Sequence, residues 1–264
     1  MKALSISLCS TGFKSVSFND VIQTAGDLNL DGVEWWSGHL KSCNIQEVKT
    51  LMKKHHLLTP AVSEYANFSA GTSACEQDVL RLKSAIELAA FLEAPMVRVF
   101  AGHVSSSEAS STEWELAVQA LKEVCIAGLA KNVLIAVETH NNTFADCDPA
   151  IQKLLKEVNH QSLCLIYDPF NFLVAKENPF AVLDSCYSKI KHVHMKNFFW
   201  NHSDWNKSEE TVLFSGDLDQ KAVFSRLLEK KYCGFYSMEY FGENKVRLIH
   251  ESALLVQQYK EKNL

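Results

Sequence analysis

No stretch of this 264-residue chain approaches the ~18 consecutive apolar residues that a membrane-spanning helix requires, so no membrane contact is expected. Prolines number only five and glycines ten, and no low-complexity tract interrupts the chain, which leaves little from which to build a boundary between domains. Basic residues are in short supply, with 26 Lys and Arg against 31 Asp and Glu and a net charge of −5. Such a chain has no electrostatic hold on polyanions, and no nucleic-acid partner is expected. The eight cysteines lie singly with no CxxC pair, which excludes a cysteine zinc site or a disulfide framework and suits buried thiols in a reducing cytosol. The apolar residues of Met1–Ser10 are broken by serines and follow a single lysine. That segment reads as a first strand, not a leader, and a cytoplasmic location is expected.

What the chain does have is alternation. Strand candidates fall at 4–10, 32–36, 59–65, 96–102, 133–140, 163–169, 190–197 and 234–241, where β-branched and aromatic residues gather. Helical periodicity occupies 17–29, 44–56, 74–93, 112–131, 149–158, 179–188, 219–231 and 244–262. Capping signals mark several starts: Ser17 with Asp20, Asp148-Pro149 and Asn178-Pro179. Eight strand–helix units without a linker predict an α/β fold of the closed (β/α)8 TIM-barrel type, as one domain over 1–264. The rival, an open doubly wound sheet, would show a glycine-rich turn after the first strand, where Ser10-Thr11-Gly12-Phe13 has no GxGxxG. The longest break, 198–216, is rich in Trp, Asn, His and Glu and is placed over the C-terminal rim, with Trp200, His202 and Trp205 as lid candidates.

Alternation along a barrel strand sorts side chains into those facing the helices and those facing the axis. If Val133, Ile135 and Val137 face outward, then Leu134, Ala136, Glu138 and His140 face inward. The same test turns Cys164, Ile166 and Asp168 inward on the sixth strand, His192, His194 and Lys196 on the seventh, and Ser237 and Glu239 on the eighth. Four successive strands thus aim an acid or a histidine at one mouth. Carboxylates gathered in a barrel repel each other unless a cation sits among them, and this mixture of oxygen and imidazole donors suits Mn²⁺, Mg²⁺, Co²⁺ or Zn²⁺.

These residues resemble the sugar-phosphate isomerase/epimerase superfamily, the xylose isomerase-like TIM barrels. The likeness runs through Asp31-Gly32-Val33-Glu34, Val97–Gly102, Val137-Glu138-Thr139-His140-Asn141, Tyr167-Asp168-Pro169-Phe170-Asn171, His192–Lys196, Ser215-Gly216-Asp217 and Met238-Glu239-Tyr240. It implies one divalent metal held by Glu138, Asp168, His194 and Glu239, with His192 behind them. It further implies a sugar isomerase or epimerase, manganese being one metal of choice, that removes a proton beside the carbonyl of a ketose, phosphorylated or not, through a metal-stabilised enediolate. Glu138 and Glu239 then share ligand and acid/base duty.

Substrate contacts are expected from His140, Asn141, Asn171 and Lys196. Glu34 and Arg98 read as an ion pair with substrate contact as the alternative, and one of Trp35 and Trp36 is free to stack on a sugar. Two departures from the resemblance stand out. Asn197 replaces an Asp found in many members, and Asn171 replaces the histidine of ketose 3-epimerases. A metal-dependent dehydratase of a keto-sugar or cyclitol shares the same ligand set and is the alternative. An endonuclease IV-like phosphodiesterase needs a histidine at the Asn171 position and an Asp-x-His after strand seven, both missing. A non-catalytic sugar-binding barrel is disfavoured by four filled ligand positions. The sequence leaves homo-oligomerisation open.

Overall fold

The computed structural model describes residues 4–41 and 43–263; Met1–Ala3, part of the segment weighed as a leader, lie outside them. In chain order the strands are β1 (Ser5–Cys9), β2 (Gly32–Trp36), β3 (Val62–Ser63), β4 (Met96–Val99), β5 (Leu134–Glu138), β6 (Leu163–Tyr167), β7 (Ile190–Met195), β8 (Phe198–Phe199), β9 (Glu209–Glu210) and β10 (Phe235–Met238). Eight of them close into a parallel barrel in which β10 lies between β1 and β7. β8 and β9 pair antiparallel as a small ribbon inside the long 198–216 segment.

The cylinder closes because every barrel strand carries an apolar outward set. Ile135 and Val137 on β5, Val193 and Met195 on β7, and Tyr236 and Met238 on β10 all join the core shared with the helices. Leu134, Ala136, Cys164, Ile166, Met96 and Ala61 form a separate apolar cluster inside the barrel, below the inward acids. The facing read from alternation therefore holds on these strands. β3 is the shortest, yet the hydrogen bonds from Trp35 N to Ala61 O (3.0 Å) and Glu64 N to Arg98 O (3.0 Å) extend its pairing at both ends.

Helix starts follow the side-chain signals. Ser17 accepts a bond from Asp20 N, Asn178 from Phe180 N, and Ser110 with Glu113 forms a capping box. The Asp148 helix begins one residue earlier than expected, with Cys147 in the cap position and Pro149 in the first turn. Two short helices, Ser37–Lys41 and Pro169–Ala175, went unpredicted, since five and seven residues carry too little periodicity to read. Of the eight free cysteines five are buried and two half-buried, while Cys233 is exposed.

Gly102, just past β4, shapes the rim. Its φ is +82°, and a Cβ there would lie 2.3 Å from the ring of Phe144. That ring stacks on Trp114 at 4.9 Å and has little freedom to yield. Gly102→Ala is therefore expected to cost about 2–4 kcal/mol, from backbone strain and overpacking together. A shift of the urea midpoint at constant slope would measure it; an unchanged midpoint would show that the rim relaxes.

Candidate metal and substrate site

Four side chains meet at the C-terminal rim. Glu138 ends β5 and Asp168 follows β6, while His194 lies on β7 and Glu239 follows β10. One ligand atom from each lies within 4.8 Å of all the others, and all four are buried. His194 Nδ1 is 3.3 Å from Glu138 Oε1, 3.7 Å from Glu239 Oε2 and 4.0 Å from Asp168 Oδ2. The sequence-predicted set thus converges at one point.

Each ligand is held from behind. Asp168 is also the N-cap of the helix Pro169–Ala175, with Oδ1 accepting from Phe170 N at 3.1 Å, so Oδ2 is the atom turned to the cluster. Glu239 Oε1 accepts from Thr11 Oγ1 (3.1 Å), and its Oε2 accepts from Lys196 Nζ (2.7 Å). The same ammonium lies 2.7 Å from Asp168 Oδ2. Glu138 is paired with Arg98. The expected Glu34–Arg98 pair does not form. Arg98 turns to β5, and the Glu34 carboxylate takes His192 Nε2 (2.8 Å), His194 Nε2 (3.0 Å) and Ser63 Oγ (2.6 Å) instead. Alternation placed Glu34 and Arg98 on the same inner wall but could not say which neighbour each would reach.

Charge and donor chemistry fit a divalent cation. Four buried acids (Glu34, Glu138, Asp168 and Glu239) outnumber the two buried cations Arg98 and Lys196, and against the burial of its ring the surrounding carboxylates draw His194 toward its charged form. His194 Nδ1 finds no hydrogen-bond partner although three carboxylates surround it. A buried imidazole nitrogen without a partner, set among carboxylate oxygens, offers with them a donor set for a divalent ion. Burial and the Glu239 and Glu138 carboxylates push the Asp168 carboxyl up against the pull of Lys196. For Glu34, burial opposes ionisation, but His194 and His192 outweigh it and hold the carboxyl well below the usual range.

Above the cluster opens a cavity of about 720 Å³. Arg98, His140, Asn141, Asn171 and Lys196 line it as expected; Glu34 does not, being fully buried beneath it. Neither Trp35 nor Trp36 reaches the cavity, since Trp35 is core and Trp36 packs on His39 and under Lys14. Of the long segment, Trp200 and Trp205 line the mouth and pack against each other with rings tilted by 54° and centroids 4.8 Å apart. Tyr65, Phe100, Asn142 and Phe241 also line it and were missed, because only polar side chains were followed along the inward set; Phe100 and Phe241 fall two residues after the inward Arg98 and Glu239. Arg98 lies against both Tyr65 (4.9 Å) and Phe100 (4.5 Å), whose tilted rings pack on each other at 5.8 Å, and its buried Nη1 has no hydrogen-bond partner.

A closed parallel barrel with a cluster of candidate metal ligands under an open cavity at its C-terminal rim has the layout of a barrel enzyme's active site. The chain belongs to the xylose isomerase-like TIM barrel family, whose profile matches residues 22–259. It is similar to a 3-dehydroshikimate dehydratase of Bacillus anthracis, 25% identical over 260 residues that cover 90% of this chain and 91% of the relative. An inosose dehydratase of Clostridium beijerinckii is 26% identical over 163 residues, 57% of this chain and 55% of the relative. Among solved structures, a probable 3-DHS dehydratase from Bacillus anthracis superposes with a TM-score of 0.86 at 23% identity, covering 96% of this chain and 99% of that one. An L-ribulose 3-epimerase superposes with a TM-score of 0.85 at 17% identity over 98% and 95%. Both superpositions speak for the fold.

Proposed function

We propose that this chain is a divalent-metal-dependent dehydratase of a keto-sugar, cyclitol ketone or related cyclic hydroxyketone. The observation that carries this reading is the match to a dehydratase along nine-tenths of both chains, which favours water loss over the isomerase or epimerase activity expected from the sequence. A feature of the site agrees. Epimerisation needs acid/base groups on both faces of the reacting carbon, and Asn171, where ketose 3-epimerases carry a histidine, is tied through Nδ2 to Thr139 O at 3.1 Å.

A divalent ion held by Glu138, Asp168, His194 and Glu239 supplies Lewis acidity toward the substrate carbonyl. The chain's own groups do the rest. His140 Nδ1 lies 2.6 Å from Asn141 O. A carbonyl only accepts, so the proton sits on Nδ1 and the Nε2 lone pair is left to receive the substrate's α-proton. Glu138 is a poor base: burial opposes its charge, but Arg98 and His194 outweigh that and hold its carboxyl well below the usual range. It serves as ligand and fixed charge. Arg98 and Lys196 line the cavity and place positive charge beside the oxygen atoms of the substrate. When the α-hydrogen and the β-hydroxyl share a face, the imidazolium returns its proton to the departing hydroxyl and water is lost.

The metal-loaded protein should be offered 3-dehydroshikimate, inosose and a panel of ketoses, with products followed by absorbance and mass. Loss of 18 Da from a cyclic hydroxyketone is the expected result. Epimerised or isomerised ketose with no loss of water would overturn the assignment.

A further inference from the structure

Behind the ligand cluster lies a second buried carboxylate with no access to the cavity. Glu34 is fully buried on β2, and every polar contact to its side chain is short and inward. His192 Nε2 lies 2.8 Å from Oε2, His194 Nε2 lies 3.0 Å from Oε2 and 3.1 Å from Oε1, and Ser63 Oγ is 2.6 Å from Oε1. Three groups that can each donate a hydrogen, two imidazole nitrogens and one hydroxyl, converge on the two carboxylate oxygens. An ionised carboxylate has no hydrogen to give, so all three neighbours must be the donors. Both imidazoles therefore carry hydrogen on Nε2. For His194 this leaves Nδ1 as the nitrogen whose lone pair can face Glu138, Asp168 and Glu239, the atom that finds no partner in the protein. The opposite tautomer would aim an N–H at the ion and set a lone pair against the Glu34 oxygens.

We infer that Glu34, steadied by Ser63 and His192, is a positioning residue: it locks the tautomer and ring orientation of His194 and so sets the affinity of the chain for its divalent ion. This rests on the metal centre proposed above and not on the identity of the substrate. Glu34 reaches the ion through His194, and none of its contacts is to the cavity. The arrangement has a chemical signature that a filler of the barrel interior would not have. A glutamine at this position has one acceptor oxygen and one NH2, so it accepts from one histidine and donates to the other. One of the two imidazoles must then shift its proton to Nδ1.

The test is Mn²⁺ and Zn²⁺ binding to the metal-stripped full chain by competition with a chelating dye, with ¹⁵N-histidine spectra read alongside. Wild type should bind about one ion per chain and show His194 protonated at Nε2 alone in the loaded form. Glu34→Gln should weaken binding 10–100-fold, the range usual for loss of a partner behind a histidine ligand, and alter the tautomer of one histidine. Ser63→Ala, which keeps the carboxylate and removes one donor, should weaken binding several-fold and reports even if Glu34→Gln misfolds. Folded variants that bind within twofold of wild type would overturn the inference while leaving the metal centre intact. Wild type that binds no ion would overturn both.

Discussion

His140→Gln should lower kcat by about a thousandfold, roughly 4 kcal/mol of barrel-bound transition-state stabilisation, with metal affinity within twofold of wild type. The two halves of that expectation come from different contacts. His140 stands outside the four-ligand cluster, and its Nδ1 is committed to Asn141 O at 2.6 Å, so removing it takes nothing from the ion. His140 lines the cavity outside any salt bridge, whereas Glu138 and Glu239 are bound to Arg98 and Lys196, and Glu210 is turned to the amides of Phe241 and Gly242. Glutamine keeps some of the polarity and reach but cannot take up a proton. Turnover and metal titration on the same preparation check it. A loss of turnover below tenfold would move the base elsewhere, and a parallel loss of metal would make His140 part of the ion's support.

Stripping the ion should lower the melting temperature by about 8–16 °C. A ligand at a thousand times its dissociation constant contributes about 4 kcal/mol to the folded state, and a chain of this size shifts about 2–4 °C per kcal/mol. The physical source is the crowding of acids at the rim, where four buried carboxyl groups outnumber the two buried cations and no solvent relieves them. Thermal melts with and without EDTA, followed by readdition of Mn²⁺, Zn²⁺ or K⁺, measure it. Restoration by the divalent ions and not by K⁺ is expected; melts unmoved by chelator would count against an ion at this place.

Much of the architecture was written locally. The outward Ile135 and Val137 against the inward Ala136 and Glu138 could be read from the period of two, and that reading placed the four acids and imidazoles on one wall. What the period could not carry was partnership. Glu34 meets His192 and His194 across a gap of 158 and 160 residues, and only closure of the cylinder brings β2 within reach of β7. The Arg98–Glu138 pair was hidden for the same reason. Two inward residues of neighbouring strands have several possible partners, and register decides among them. The cavity's aromatic wall escaped for a different cause. Phe100 and Phe241 continue the inward alternation of Arg98 and Glu239, but an inward aromatic in a barrel reads as core filling until the closed structure shows it lining a cavity.

The apolar plug formed by Ala61, Met96, Ala136, Cys164 and Ile166 shuts the lower end of the cylinder. On the proposed function, an ion and a substrate would enter from the cavity mouth, beside Trp200, Trp205 and Phe241. An ion at the cluster would then have to load before the substrate, and a substrate held above it would slow its escape.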